Sequence, residues 1–367
     1  MLHSAEIQSK HERIRQFLHA NHLDGVCLSN HHNFAWVTGG GNNYINIATE
    51  LGTATAMITM DRRFIVTTNI EHPRLMAEEG VANFFEVESY TWHDTHEQAL
   101  VIRRHAAGKR IACDGGMPGM AVLPSGFDEL RYTLQPTEIQ RFRSLATDSG
   151  AIIGAVARSV EAGHSEEEIA GRLADGCHRH GLLPVVVLVA ADDRVHRFRH
   201  PLPTAKRVEH YAELVLCARR HGLVAAVTRL VHLGPLPDDL RARHDAVMQV
   251  DAAAILATQP GNGVAAVFDT IRASYGSAGF ADEWKLHHQG GLIGYQPREY
   301  LATPRDAHVI ELNQAYAWNP SITGTKCEDT VLVTEHGPEV MTATKYWPTC
   351  DITIGGRTVA RPDILVK

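Results

Sequence analysis

No Cys-x-x-Cys pair, no block of lysine and arginine, and no apolar run near the roughly 20 residues that span a bilayer occurs in this 367-residue chain. The missing cysteine pairs argue against a zinc ribbon and a disulfide-stapled scaffold. The six cysteines, Cys27, Cys113, Cys177, Cys217, Cys327 and Cys350, are scattered like reduced thiols. With 35 basic against 42 acidic residues the net charge is −7, so there is no electrostatic footprint for nucleic acid, and a membrane surface is no better served. The polar start Met1-Leu2-His3-Ser4-Ala5-Glu6 lacks a charged segment followed by an apolar one, and a cytoplasmic location is expected. Low-complexity tracts and short-period repeats are also missing. What is present is 44% hydrophobic against 21% charged residues, enough for sizeable cores, over a length that suits two packed units. Histidine is abundant at 23 residues, so a lone histidine motif carries little weight.

The first stretch, about 8–22, has helical periodicity, with Ile14, Phe17 and Leu18 on one face and charges opposite. A strand follows, in which Gly25–Leu28 leads through Asn30–Asn33 into Phe34–Thr38 and ends at Gly39-Gly40-Gly41. Thr53–Met60 and Phe64–Thr68 read as a hairpin; helices near 70–79 and 95–107 and strands at Phe84–Val87 and Arg110–Cys113 complete an α/β domain over 1–134. Leu134-Gln135-Pro136-Thr137 marks the boundary, and a second domain over 135–367 opens with a long helix at about 137–161. Ser165 and Glu168 form a capping box for the next helix. Strands at Pro184–Ala190, Ala212–Cys217 and Leu223–Leu233, helices near 236–256 and 264–277, and strands near 308–319 and 328–334 follow.

Four separated segments of the second domain carry polar residues: Phe198–Thr204, Gly222–Arg229, His287–Glu299 and Gly324–Val333. In order and spacing they resemble the creatinase, aminopeptidase P and prolidase family, and Asn33–Gly39 and Asn69–Arg74 resemble that family's N-terminal sequences. The resemblance implies an α/β N-terminal domain followed by an α+β pita-bread C-terminal domain, and a homodimer whose polar run Asn42–Asn46 lines a neighbour's site. Family metallopeptidases hold two metals with two Asp, one His and two Glu. The resemblance puts Val215 and Ala226 at the Asp positions and Gln314 at the first Glu, leaving Glu328 and His287. One carboxylate and one imidazole are too few for two metals. Creatinase works without metal, and the resemblance aligns its catalytic His with His200, its active-site Glu with Glu328, a second Glu with Thr228, and its carboxylate-binding Arg-Glu pair with Arg298-Glu299. The N-domain residues that hold creatine fall on Ile47 and Thr49, which argues against creatine itself.

Hydrolysing an unactivated C–N bond without a Lewis acid needs a base for water and an acid for the leaving nitrogen, and an imidazole facing a carboxylate serves both. An arginine fork suits a substrate carboxylate or an oxyanion. The expected catalytic set is His200, Glu328, Arg229 and Thr228, with Arg298, Glu299, His287, His288, Tyr295 and Gln314 around the substrate. Neither metal nor cofactor is expected, and the partners are a small molecule and a second copy of the chain. Plainer readings stand beside these: His200 as a loop histidine, Glu328 and Arg229 as a structural ion pair, Arg298 and Glu299 as a solvated pair, His287 and His288 as loop residues, and Trp318-Asn319-Pro320 as packing and turn. At the level of function, the alternatives are a silent ligand-binding homologue and an Xaa-Pro metallopeptidase. The latter needs two Asp near a strand pair, and none lies between Glu213 and Gly234.

Overall fold

The computed structural model describes residues 4–94, 96–117 and 119–367. They form two compact units, one built from residues up to Arg131 with 135–138 and 221–223, the other from 132–134, 139–220 and 224–367. Residues 132–134 thus go with the second unit, and the first turn of the long helix, 135–138, goes with the N-terminal one.

The N-terminal unit contains α1 (Ser4–Ala20), β1 (Gly25–Asn30), α2 (His31–Val37), β2 (Leu51–Thr59), β3 (Arg63–Thr68), α3 (His72–Ala77), β4 (Glu86–Tyr90), α4 (Glu97–Ala106), β5 (Ile111–Cys113) and β6 (Ala121–Val122). The strands form one sheet in the order β4-β3-β2-β1-β5-β6, antiparallel at β1–β2 and β2–β3 and parallel elsewhere. Cys27, Met57, Phe64, Val66, Val101, Ile102 and Ile111 pack between sheet and helix. The single strand read through Phe34–Thr38 is corrected: only its first part is β1, and His31–Val37 is a helix. Phe34, Ala35, Trp36 and Val37 are all buried, so no polar face betrays the helical period. The charged face of α1 is also partly internal. Lys10 is buried, its Nζ 2.6 Å from Glu6, 2.7 Å from Glu138 and 2.7 Å from the Trp36 carbonyl, a fully paired cation.

The second unit opens with α5 (Pro136–Arg158) and α6 (Glu166–Arg179), the latter started by the capping box: Ser165 Oγ accepts from the Glu168 N–H, and the Glu168 carboxylate accepts from the Ser165 N–H. Then come β7 (Leu183–Ala191), α7 (Asp193–Arg197), β8 (Tyr211–Arg220), β9 (Leu223–His232), α8 (Asp238–Ala257), α9 (Val264–Ser277), β10 (Gly290–Ile293), β11 (Tyr300–Leu301), β12 (Ala315–Trp318), β13 (Ser321–Ile322), β14 (Thr325–Lys326), β15 (Asp329–Thr334), β16 (Gly337–Val340), β17 (Thr349–Ile354), β18 (Arg357–Pro362) and β19 (Leu365–Val366). One sheet runs β19-β9-β8-β7, another β11-β10-β12-β15-β16. Helices α8 and α9 cover the second sheet through Val250, Ile255, Phe268, Ile271, Leu292 and Trp318. Strand β10 begins at Gly290, whose φ is 101°; a Cβ there would lie 2.0 Å from the Ala317 carbonyl oxygen, so only glycine lets β10 approach β12 this closely. The start of β15 lies against β9, where the Thr330 hydroxyl meets the Ala226 backbone and the Thr228 N–H donates to the Glu328 carbonyl.

Candidate active site

Side-chain alternation sorts the residues around that junction. On the segment 326–330, Lys326, Glu328 and Thr330 turn to one side and Cys327 and Asp329 to the other. On β9, Ala226 and Thr228 share a face and Arg229 points away. Glu328 is buried, and its carboxylate accepts from Thr228 Oγ1 at 2.6 Å and Arg298 Nη2 at 3.1 Å, with Lys326 Nζ at 3.0 Å. Burial raises its pKa, but Lys326 and Arg298, helped by the Thr228 hydroxyl, overcome that and hold it at about 2. Glu328 is therefore an ionised anchor between two cations, and it is poorly suited to carry a proton at neutral pH.

Three imidazoles gather beside it. His200 Nε2 and His287 Nε2 are 3.1 Å apart, and ring centroids separate by 4.9 Å for His200 and His287, 5.5 Å for His200 and His288, and 4.5 Å for His287 and His288. His287 and His288 are placed by the entry to β10, and the Gln289 amide fixes the His287 carbonyl at 2.6 Å. His200 follows Arg199, which is tied to Glu283 at 2.5 Å and to the Thr323 hydroxyl at 3.0 Å. Burial first and the Lys326 charge second lower His287 to about 2; burial, then Arg298 and Lys326, lower His288 to about 4. His200 is lowered by the same two causes as His287. All three are neutral at pH 7.

Glu213 is a residue that the sequence reading passed over. It lies on β8, on the same strand face as Val215 and Cys217, and is buried. Burial raises its pKa to about 7, Lys326 pulling down and Glu328 pushing up. A glutamate amid Leu214, Val215 and Leu216 in an apolar strand was the available signal.

Several expected site residues stand elsewhere. Arg229 does not face the Glu328 carboxylate: it is buried on the far side of β9, donating to Asp329 Oδ1 at 2.9 Å, Thr344 Oγ1 at 2.9 Å and the Thr342 carbonyl at 3.1 Å. The ion pair read between Arg229 and Glu328 is likewise replaced by Arg229–Asp329. Gln314 is corrected too. Its carbonyl accepts from the Val333 N–H, five residues along the strand from Glu328, or roughly 16 Å. Its side chain accepts instead from the Tyr316 hydroxyl and the Glu311 N–H. Asn319 holds the place across from Glu328, since Trp318 pairs with Asp329, and its Oδ1 is buried without a hydrogen-bond partner. Glu299 is turned onto its own loop, accepting from the backbone N–H of Tyr295 at 2.8 Å and of Gln296 at 3.3 Å, and Tyr295 is buried. Thr228, Arg298, His200, His287 and His288 do converge with Glu328.

The five-ligand dinuclear centre implied by the resemblance does not fit these residues. Val215 and Ala226 offer no donor atom, Gln314 is distant, and the Lys326 ammonium and Arg298 guanidinium already balance Glu328. Two further cations there would face two resident ones across a single fully ionised carboxylate.

Comparison with known proteins agrees with the fold and fixes the family. The metallopeptidase family M24 matches residues 140–335, more than half of the chain, and the creatinase/prolidase N-terminal domain matches 10–145. An uncharacterized peptidase of Staphylococcus haemolyticus, SH1217, is 20% identical over 273 residues, covering 71% of this chain and 76% of its own. Among solved structures, the prolidase from Pyrococcus horikoshii OT3 superposes with a TM-score of 0.78 at 16% identity, over 92% of this chain and 98% of that one. The Xaa-Pro dipeptidase from Bacillus anthracis gives 0.76 at 17%, over 98% and 100%. A creatinase/prolidase N-terminal domain followed by a pita-bread domain is thus the architecture, and the chain belongs to metallopeptidase family M24, a family of hydrolases.

Proposed function

We propose that this chain hydrolyses the C–N bond of a small carboxylate-bearing amide, short peptides foremost, at the site around His200, Arg298 and Glu328, without the family's dinuclear centre. Arg298 carries the reading. Its guanidinium is oriented by Glu328 at 3.1 Å and the Pro297 carbonyl at 2.6 Å, yet Nε is buried with no hydrogen-bond partner. An orphaned buried donor costs about 1–3 kcal/mol, and a substrate carboxylate against the fork removes that penalty. Water's oxygen adds to the carbonyl carbon, the C–N bond breaks, and Glu213 passes the proton taken from water to the leaving nitrogen. Glu328 holds Arg298 and Lys326 in place for the substrate's charges. Among amides, peptides are favoured because the similar solved structures are named a prolidase and an Xaa-Pro dipeptidase, and a dipeptide ends in a carboxylate.

Arg298→Met is expected to raise KM by about 10–100-fold, the worth of a charge-assisted hydrogen bond, with kcat changed less. Arg298→Lys should fall between, because charge is kept and the planar fork is lost. Steady-state kinetics with a Met variant as good as the original would contradict the assignment.

We also infer a two-fold dimer. Ile45, Ile47 and Leu51 are each more than half exposed within one short stretch, an apolar surface suited to an isologous contact. Light scattering should report twice the 40.4 kDa of the chain, and a lone 40.4 kDa species would contradict it.

A further inference from the structure

We propose that His200, His287 and His288 form a mononuclear site for one divalent cation of the zinc class, an all-imidazole ligand set that shares only His287 with the carboxylate-rich set the resemblance implies. One ligand atom from each ring lies within 4.8 Å of the other two. Two nitrogens bound at ~2.05 Å to a tetrahedral zinc lie about 3.3 Å apart, and His200 Nε2 and His287 Nε2 are 3.1 Å apart. A shared proton accounts for that pair alone. It leaves His288, whose buried Nδ1 has no hydrogen-bond partner, unexplained beside them.

The surroundings match a metal ligand set in a second respect. The other nitrogen of His287, Nδ1, lies 3.2 Å from Ser321 Oγ, and the Ser321 N–H is itself held by the Tyr275 hydroxyl at 2.9 Å. With Ser321 Oγ accepting from Nδ1–H, Nε2 is free to ligate. Three imidazoles suit borderline Zn²⁺ or Co²⁺ over Mg²⁺ or Ca²⁺, which want oxygen. His200 is exposed, so an ion and a water molecule can reach the cluster from solvent. The inference deepens the hydrolytic reading and rests on it for function: a bound zinc ion supplies a Lewis acid and an acidified water beside the Arg298 carboxylate pocket.

The test is metal binding by the full-length protein after chelator treatment, titrated with Co²⁺ and read by its visible d–d absorption and by elemental analysis. One ion per chain with a four-coordinate spectrum is expected. His200→Gln, at an exposed position that leaves the core untouched, should weaken binding at least 100-fold, since even changes behind the ligands cost 10–100-fold; His287→Gln should do the same. No binding, or binding indifferent to both substitutions, overturns the site. Turnover of a peptide by protein shown to bind no ion overturns this inference and leaves C–N hydrolysis standing. One bound ion with no hydrolysis of any carboxylate-bearing amide supports the site and overturns the hydrolytic reading.

Discussion

Glu213→Gln is expected to lower kcat by about 10²–10⁴-fold, the usual worth of a general acid–base group, with KM within a few-fold. The wild-type kcat/KM should rise with pH through about 7, where the buried Glu213 loses its proton, and the variant should lose that limb. Stability must move the other way. Burial raises the pKa from 4.5 to about 7, so the folded state holds a proton that the unfolded state releases. The resulting penalty grows between about 4.5 and 7 and is constant above. Glutamine has no charge to bury, so at pH 8 the variant should be more stable, by about 3 kcal/mol at most. A variant that is both active and unchanged in its pH profile would remove Glu213 from the mechanism.

Glu328→Gln acts in the opposite sense. It leaves the buried Lys326 and the partly buried Arg298 without their shared counter-charge, and removing one partner of a buried ion pair costs about 3–5 kcal/mol. For a domain of this size that is a fall in Tm of roughly 10 °C. Because the folded-state pKa is lowered from 4.5 to about 2, the stabilisation is complete above 4.5 and disappears as pH falls through 2. The gap between wild type and variant should therefore close in acid. Calorimetry at pH 7 showing both proteins melting within 2 °C of each other would contradict the anchor role, and activity in the variant should fall with Arg298 no longer oriented.

Several features were legible because they are local. The capping box at Ser165 and Glu168, the β2–β3 hairpin and the strand pair β8–β9 follow from short-range patterns, and Glu328 stands out as a carboxylate among Val331, Leu332 and Val333. What escaped depends on facing and register. Arg229 adjoins Thr228 in sequence, but one residue along a strand is the opposite face, where Asp329 waits. Gln314 lies fourteen positions before Glu328, yet the β12–β15 register sets it against Val333. The His200 cluster joins residues 87 apart, and in a chain with 23 histidines no spacing rule selects these three. Counting absent carboxylates at the family positions addressed only the dinuclear centre and said nothing about imidazoles assembled from two loops.

The most direct measurement is turnover of a panel of Xaa-Pro dipeptides and N-acyl amino acids in H₂¹⁸O, followed by mass spectrometry of the released acid. The account predicts catalytic release of the amine, one ¹⁸O in each new carboxylate, and a loss of about 10²–10⁴-fold in Glu213→Gln. Tight binding of a panel member without release of amine or uptake of label would contradict it.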